Sequence, residues 1–546
     1  MPHPANTEYL ASTDARVKPP NYFIVVKNWG VADRHFAMKP VLGATRNYMV
    51  GLKGLRAISQ KITPEEGKSS IGTLEFGLLD KNDRVTALLA SAIRKKQVEL
   101  WAGYDGIDES KYIQLTTNLV DDFSMAANLT EYIFKTADIQ RSIKSKVFKP
   151  KVTSLTAQLN AGATAASVAD ASAFLAVVQP SLGTCGYLRI DDEIIKWTAK
   201  GSTSFTIARG QFGTVDAAHS AGAEVRELIV FQEHPVSIAL KVILSTGAGT
   251  NGAYDTLPSH WALGMDAALV KVSSWESQAE DWLNFKSSDL TYGYQFRFLY
   301  DGEVEAKKFI EDEILKVLNA YAPVGADGSL SFKAFAPPVP FVDLPAFDEK
   351  VMKVKSMSGG LSALINIALF SYDHDLVQDA FLKNVEYSDG SSIAAHGLSD
   401  TFTVESRGIR SDLNGAEIVL DRWNRIKQRF SKPVPTIQVQ AFYSKHLYEA
   451  GELINFSHAR LPDLAEGSRG MTEKVLEIVN KGFDIMGGAL HYDMMITGFG
   501  QRYALYGPDS LPAYGTATEE QKQRYGWYAD DNGKVGGGTE EGYRYA

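Results

Sequence analysis

The alternation of hydrophobic and polar residues predicts strands in two regions, one near each end of the chain. β-Branched and aromatic runs such as 21–29 are bounded by Gly, Pro, Asp and Asn, which is typical of strands and turns. Near the other end, Leu476 alternates with Ile478 and Met494 with Ile496, which is the period of a half-buried strand. We therefore predict a sheet, barrel-like in form, in each of these two regions.

Apolar residues spaced three and four positions apart predict helices between the strands. The period is clearest in 303–323, and Pro323 is expected to end that helix. Three other helices are predicted. Asn82 or Asp83 is expected to cap the N-terminus of 84–96, and Ser273 or Ser274 that of 275–285, whereas Pro433 is expected to stop 414–430.

The composition changes at residue 150 and again after residue 505, and these changes divide the chain. Residues 151–233 carry several short strand patterns separated by turns, which indicates a small all-β module. The Gly-rich, polar extension 506–546 is expected to become ordered only against a neighbour. The fold class is therefore a multidomain, β-rich α+β protein. Its predicted domains are 1–150, a first barrel; 151–233, the inserted module; 234–345 and 346–430, two mixed α/β domains; 431–505, a second barrel; and 506–546, the extension.

Charge and cysteine content exclude several classes of protein. With 546 residues and a formal net charge of −9, the chain lacks the excess of basic residues that a dedicated nucleic-acid binder needs. Cys185 is the only cysteine, so an intrachain disulfide and a cysteine-ligated metal are excluded, and we expect a small buried residue there. No signal-peptide pattern opens the chain and no apolar run approaches the ~20 residues of a membrane span, so we expect synthesis in a cytoplasm without signal-directed export.

One turn-rich segment, 206–225, crowds together four residues with catalytic potential. These are Arg209, Thr214, Asp216 and His219. A histidine that acts as a general base needs an acid to orient it, and the neighbouring sequence fixes no such partner for His219. The glycines of the segment supply the conformations that tight turns require. We interpret the segment as structural, with catalysis as the open alternative.

Acidic clusters elsewhere suggest metal binding or glycoside hydrolysis. The cluster of Asp373, His374, Asp375 and Asp379 follows a predicted strand but lacks the Gly-punctuated ladder of oxygens found in Ca²⁺ loops, so we interpret it as an exposed acidic loop. The acidic segments Val120–Asp122 and Ile190–Glu193 resemble paired glycosidase carboxylates. Neighbouring residues of a strand point to opposite faces, however, which favours turn or edge charges.

Two further motifs fail on spacing. The segment around Ser356 and Ser358 has no Gly-x-Ser-x-Gly elbow, and 65–70 ends like a phosphate-binding loop but has Ile62 where that motif needs glycine. The sequence thus predicts no catalytic, cofactor-binding or metal-binding residue, no cofactor, and a protein that is not an enzyme.

Residues 188–228 resemble a small β-module that recurs in bacteriophage tail and baseplate proteins. The shared pattern is Glu-Ile-Ile, then Arg-Gly-x-x-Gly-Thr, then Ala-x-His-x-x-Gly-Ala-x-Val. Three further segments resemble hub proteins at the tail tip of long, flexible-tailed (siphophage-like) viruses: 306–332, 451–484 and 528–546. Together these segments cover about a fifth of the chain, in the order that a baseplate hub would have.

The resemblance implies two β-barrels of the tail-tube type, mixed α/β domains between them, and a homotrimeric ring in the virion tail. It also implies several neighbours: a distal tail protein, a tape measure protein, and tail fibre or central tip proteins. Genomic DNA would pass through the ring without specific binding. Trp29, Trp101, Trp423 and the Tyr-rich extension are candidates for contacts between subunits, with core packing as the alternative for each tryptophan.

Two other functions stay open at the level of sequence. The module could bind a host-surface glycan through Trp197, Phe205 and Phe212, which would make the protein a virion carbohydrate-binding protein. A β-rich glycoside hydrolase that uses Asp121 or Asp191 is the third hypothesis.

Overall fold

The computed structural model describes residues 20–56, 59–336, 344–441, 445–485 and 489–497, with a few residues beyond 504. Within them, strands outnumber helices and the helices are short connections between strands, so the predicted β-rich fold is confirmed. None of the helices in these ranges is long and apolar enough to cross a lipid bilayer.

The first sheet closes on itself into a barrel. Its strand order is β3-β2-β1-β8-β9-β10-β7-β4, and only Gly51 separates the two outermost strands in the chain. The Gly51 amide donates to Ala37 O (3.1 Å), and its carbonyl accepts from the Leu79 amide (2.9 Å), so one short segment bridges both edges. The elements of this region are β1 (Pro20–Trp29), β2 (Ala32–Ala37), β3 (Tyr48–Val50), β4 (Leu52–Lys53), β5 (Ser59–Thr63), β6 (Lys68–Ser69), β7 (Thr73–Leu79), α1 (Arg84–Leu89), β8 (Gln97–Tyr104), β9 (Ile113–Met125), β10 (Glu131–Ala137), α2 (Gln140–Ile143) and β11 (Lys146–Val147).

A second sheet follows and has its own small core, which includes Phe174, Trp197 and Phe205. Its strand order is β12-β18-β15-β16-β17-β13, with β14 paired to β15. The strands are β12 (Val152–Ser154), β13 (Ala165–Ser167), β14 (Val177–Gln179), β15 (Gly183–Ile190), β16 (Glu193–Lys200), β17 (Ser204–Ala208) and β18 (Glu224–Glu233).

The middle of the chain mixes helices with short strands around one large apolar core. The helix predicted over 303–323 is shorter: it runs from Ala306 to Leu318, contains a π-helical stretch at Phe309–Leu315, and ends because Asn319 is left-handed (φ 55°). The elements are α3 (Pro235–Leu244), α4 (Val272–Trp282), β19 (Phe296–Tyr300), β20 (Val304–Glu305), α5 (Ala306–Lys308, Phe309–Leu315 and Lys316–Leu318), β21 (Ala320–Tyr321) and β22 (Lys333–Ala334).

The closing sheet is built like the first one. Its strand order is β23-β29-β30-β31-β28-β24, and β23 and β24 are again adjacent in the chain but lie at opposite edges. The elements are β23 (Ala346–Phe347), β24 (Met352–Ser358), β25 (Ile367–Asp375), β26 (Ala380–Ser388), α6 (Gly390–His396), β27 (Phe402–Glu405), α7 (Gly415–Phe430), β28 (Thr436–Ala441), β29 (Leu453–Asp463), β30 (Ser468–Asp484), β31 (Ala489–Ile496), β32 (Leu505–Tyr506) and β33 (Tyr525–Gly526).

This sheet corrects the predicted division at residue 430. The segment 346–358, placed with the mixed region from its sequence, pairs with β28 and β29 of the closing sheet. The strand Ser59–Thr63, placed in the first barrel, pairs with β30 of the same sheet. Both pairings join residues far apart in the chain, which a local pattern does not reveal. The extension 506–546 falls largely outside the described residues.

Two of the predicted helices also differ at their ends from the sequence expectations. The helix predicted over 84–96 stops at Leu89, and Asp80 caps it by accepting from the Val85 amide (2.8 Å) in place of Asn82 or Asp83. The helix predicted over 275–285 begins earlier, at Val272, without a side-chain cap from Ser273 or Ser274. The helix predicted over 414–430 is confirmed as Gly415–Phe430.

Candidate functional site: matched barrels and an acidic cleft

His219 lies between two carboxylates. Its Nδ1 is 2.7 Å from Asp191 Oδ2 and its Nε2 is 2.8 Å from Glu193 Oε2. Arg209 donates to both oxygens of Glu193, from Nε at 2.7 Å and from Nη2 at 2.6 Å. The expectation that no acid orients His219 is therefore wrong. Asp191 is left-handed (φ 50°), and this turn brings two acids of the segment 190–193 to one imidazole.

The buried side chains of the network, Glu193, Arg209 and His219, are paired with one another. Burial opposes ionisation of Glu193, but hydrogen bonds from Arg209, His219 and two backbone amides outweigh it and lower its pKa to about 2. Thr214 Oγ1 donates to Gln211 O (2.8 Å), and Asp216 pairs with Arg209 (3.0 Å). These contacts tie β16 to the loop 209–219. Glu193 is buried, which corrects the interpretation of it as an edge charge.

The acidic cluster predicted as an exposed loop lies instead at the end of β25 (Asp373–Asp375) and in the turn that follows it (Asp379). Asp373 accepts from the Ser411 amide (2.7 Å), and Asp375 accepts from the amides of Val377 (2.8 Å) and Gln378 (3.1 Å). His374 is buried and lies 3.1 Å from Asp379 Oδ1. In the described part of the chain, no three His, Cys, Asp or Glu side chains converge as metal ligands would. These carboxylates hold the hairpin between β25 and β26.

The two acidic groups face each other across one open cleft of about 860 Å³. One wall is Asp191, Asp192 and His219 of the module, and the other is Asp373 and Asp375. The sequence separates the two walls widely and carries no signal that they meet.

The aromatic residues expected to bind a glycan do not line this cleft as a group. Trp197 and Phe205 are 3% and 1% exposed and belong to the core of the module, so the predicted glycan contact is wrong for both. Phe212 does line the cleft, but Tyr187 covers it (ring centroids 5.1 Å apart) and Arg297 lies 5.1 Å from its ring.

The remaining candidates have structural surroundings. Cys185 is buried, as predicted, and so are Trp29 and Trp423. Trp101 stacks on Phe23 with ring centroids 5.9 Å apart. Ser356 lies on β24, where its hydroxyl donates to Gln438 (2.7 Å).

Residues 65–70, which end like a phosphate-binding loop, lie in an arm that joins the two barrels. We call Ser59–Ser69 the arm. Its first strand pairs with Asn480–Gly482 of β30, and its turn lies against α5. Gly67 is left-handed (φ +63°), and a Cβ there would lie 2.5 Å from the Lys316 amide nitrogen. The arm therefore fits only with glycine at its tip.

Buried charges fix the arm and the second barrel to helix α7. Arg429 of α7 donates to Glu477 of β30, and both side chains are fully buried. Tyr321 also donates to Glu477, and Arg422 donates to the Glu65 carbonyl of the arm (3.1 Å). Burial raises the pKa of Glu477, and repulsion from the Glu65 carboxylate raises it further.

The two barrels share one arrangement of four strands. Strands β7, β8, β9 and β10 follow each other in the chain and lie in the order β7-β10-β9-β8; strands β28, β29, β30 and β31 repeat both the chain order and the spatial order. In each barrel an earlier strand of the same sheet pairs with the first member of this set. Strand β4 pairs with β7 (Leu52 with Leu78), and β24 pairs with β28 (Met352 with Ala441).

The repeat extends to single backbone hydrogen bonds. Val120 donates to Lys96 O (2.9 Å) and accepts from the Lys95 amide (2.8 Å); Ile478 donates to Glu452 O (3.0 Å) and accepts from the Gly451 amide (2.7 Å). Directly after Val120 and after Ile478 each strand has a one-residue bulge against its hairpin partner. The two barrels thus match residue by residue in this part of the sheet.

A single apolar core joins them. Ile24 and Phe134 of the first barrel and Ile437 and Met494 of the second belong to the same buried cluster. The Tyr22 hydroxyl donates to Ile485 O (3.3 Å) across the boundary. The barrels are therefore packed against each other as well as linked by the arm.

No protein-family model matches the sequence, and no curated protein sequence matches it. Among solved structures, the chain is similar to a tail protein from Neisseria meningitidis MC58 (8% identity, 88% of this chain and 96% of that one, TM-score 0.37). It is similar to the 43 kDa tail protein of prophage MuSo2 from Shewanella oneidensis (8%, 88% and 98%, TM-score 0.36). It is also similar to a prophage tail protein from Listeria monocytogenes EGD-e (9%, 87% and 94%, TM-score 0.30). At these identities and TM-scores the likeness does not assign a function.

Proposed function

We propose that the chain is a structural tail protein of a bacteriophage, the hub of a siphophage-like baseplate. The observation that carries this proposal is the repeated barrel: one polypeptide contains two copies of the same four-strand arrangement, matched down to the bulge after Val120 and Ile478. The resemblance of 188–228 to a tail module, and of 306–332 and 451–484 to hub proteins, points the same way.

Because each chain contains two matched barrels, a ring of three chains would have six similar barrels and therefore approximate sixfold symmetry. A homotrimer would present six barrels in a closed ring, which could join a sixfold tail tube above to a threefold tip below. The shared core and the arm hold the two barrels of a chain at one fixed angle, which such a ring requires. The ring barrels would be 1–150 and 431–505, with the second barrel completed by 346–358 and by Ser59–Thr63. The segment 151–233 would be an inserted module, 234–345 and the rest of 346–430 would be supports, and 506–546 would be an extension.

The ring would work by shape and charge. A net charge of −9 suits a channel through which DNA must pass without adhering, because like charges repel. The hydrogen bonds of Glu193 and His219 to Arg209 and Asp191 give these residues a structural role, which supports a protein that is not an enzyme. Its neighbours in the virion tail would be a distal tail protein, a tape measure protein, and tail fibre or central tip proteins.

Native mass spectrometry of the purified chain, alone and mixed with neighbouring tail proteins, tests the proposal. We expect a trimer, and negative-stain images of it should show a ring with six similar densities. A chain that stays monomeric in both conditions at micromolar concentration, or that closes as a dimer, would contradict the hub function.

A further inference from the structure

One edge in the first barrel is open where its counterpart in the second barrel is filled. In the second barrel, β30 continues past the end of β29, and Asn480, Lys481 and Gly482 pair there with the arm residues Lys61, Gln60 and Ser59. The arm therefore supplies the strand that β29 is too short to provide.

The matching residues of the first barrel are Asp122, Phe123 and Ser124, since they follow the same bulge after Val120. Strand β8 ends its pairing with β9 at Leu119, just as β29 ends at Glu477. Beyond that point the described residues give β9 a partner on one side only, the hairpin strand β10. Within the described residues, the edge that the arm covers in the second barrel is thus uncovered in the first.

The open edge has the character of a docking surface. Phe123 and Met125 are 40% and 43% exposed, although both are large and apolar. The Phe123 amide, which has no strand to bond, donates to the Asp122 carboxylate (2.8 Å), so a side chain takes the place of a neighbouring strand. Asp121, the other acid here, is engaged by Arg141 (3.3 Å). An uncovered edge of this kind is a template for strand addition.

We propose that an extended segment of a second copy of this chain pairs with Asp122–Ser124 and covers Phe123 and Met125. The occupant follows from the repeat: where this barrel type occurs a second time, a strand of this same chain lies on the matching edge. The inference rests on the proposed ring, in which each copy leaves one such edge for its neighbour. Main-chain hydrogen bonds would give the contact its register, and the two apolar side chains would add buried area.

Hydrogen exchange of the wild-type chain tests the contact without any substitution. Peptides covering 121–125 should exchange about tenfold more slowly in the assembled protein than in the dissociated protein, which corresponds to one or two backbone hydrogen bonds. Peptides covering 480–482 are the internal control, because the arm should protect them equally in both states.

Two variants sharpen the test. Phe123→Pro removes the outward amide and leaves the ladder to β10, and Met125→Asp places a charge in the contact; each should weaken self-association about tenfold. Val31→Asp is the matched control, since Val31 is 98% exposed at another turn of the same barrel, and it should leave association unchanged.

The outcomes separate this inference from the proposed function. A wild-type trimer in which 121–125 exchange as fast as in the dissociated chain overturns the edge contact and leaves the ring standing. A wild-type chain that never self-associates, even with neighbouring tail proteins, overturns both. Slowed exchange on assembly, with weaker association in either variant and not in Val31→Asp, supports both.

Discussion

The first and second barrels have the same four-strand arrangement but close their sheets differently. In the first barrel, strands β1 and β2 lie between β8 and the edge strand β3. In the second barrel, the edge strand β23 pairs with β29 directly. The matched positions also hold unlike residues: Leu119 and Glu477, Lys95 and Gly451, Asp122 and Asn480. The two barrels therefore share a backbone register, whereas the side chains at matched positions differ with the groups that each barrel contacts.

The pair Leu119 and Glu477 illustrates this most clearly. Leu119 is partly buried against the large apolar core and needs no polar partner. Glu477 occupies the same place in the second barrel, where Arg429 and Tyr321 reach it from the middle region. One barrel uses the position for packing and the other uses it to anchor a helix.

The largest effect is expected from breaking the buried pair of the second barrel. Arg429→Met leaves the Glu477 carboxylate buried without its guanidinium, which should lower the free energy of unfolding by about 3–5 kcal/mol. The matched change in the first barrel, Leu119→Ala, should lower it by about 2 kcal/mol or less, because only a partly buried apolar group is lost. Urea denaturation of each variant measures the difference.

A double variant separates charge from packing. Adding Glu477→Leu to Arg429→Met gives the second barrel the residue that the first barrel has and removes both buried charges, so it should recover most of the lost stability. If the double variant is as unstable as the sum of the two single ones, the anchoring role assigned to Glu477 is wrong.

The next largest effect is expected at Gly67, at the tip of the arm. The arm is part of the segment between β4 and β7 of the first barrel, and it pairs with β30 of the second. Gly67→Ala places a Cβ 2.5–2.8 Å from backbone atoms of Leu315 and Lys316, in addition to its left-handed strain. We expect a loss of about 2–4 kcal/mol in the free energy of unfolding. Gly162→Ala is the control: Gly162 is also left-handed (φ +75°) but has open space around it, so only about 1 kcal/mol should be lost. Equal losses in the two variants would show that the arm is not held at its tip.

The module that follows the first barrel should lose stability in acid through Glu193. The pKa of Glu193 is about 2 in the folded protein, below its usual value of 4.5, so its ionised form stabilises the fold above pH 4.5 and this contribution is lost as the pH falls towards 2. We expect the module to lose about 2 kcal/mol of stability between about pH 6 and pH 3. Hydrogen exchange of peptides from β16 measures it.

The variant Glu193→Gln provides the reference for this titration. It should be less stable at neutral pH, and its additional loss between pH 6 and pH 3 should be smaller than that of the wild type, since the titrating carboxylate is gone. Parallel curves for the two proteins would show that Glu193 does not control the acid response of the module.

Sequence periodicity predicted much of this architecture because the strands that form hairpins are neighbours in the chain. The sheets at both ends, the module and the helix Gly415–Phe430 all follow from local patterns. The arm does not, because Ser59–Thr63 and Asn480–Gly482 are separated by most of the chain. Helix α3 was missed for another reason: all ten of its residues are buried, so it lacks the polar face that marks an amphipathic helix.

The cluster around His219 could have been found from the sequence. Glu193, Arg209 and His219 all belong to the pattern quoted for 188–228, and three ionisable residues within one short motif suggest mutual contacts. The alternation argument set the segment 190–193 aside because it placed adjacent acids on opposite faces of a strand. The left-handed turn at Asp191 instead brings Asp191 and Glu193 to the same imidazole. The facing wall at Asp373 and Asp375 could not be found this way, since it belongs to another sheet.

The smallest effect is expected at Lys95 and Gly451, which occupy one matched left-handed position (φ 63° and 86°). Lys95→Gly should raise the free energy of unfolding by about 0.5 kcal/mol, because relief of the strained Lys95 exceeds the entropy that glycine adds to the unfolded chain. Gly451→Ala should lower it by more than about 1 kcal/mol, since a Cβ there would lie 2.6 Å from the Tyr321 ring. Thermal denaturation of both variants measures whether each substitution raises or lowers the free energy of unfolding. Destabilisation by Lys95→Gly would mean that the Lys95 side chain has a role in the first barrel that the matched backbone does not require.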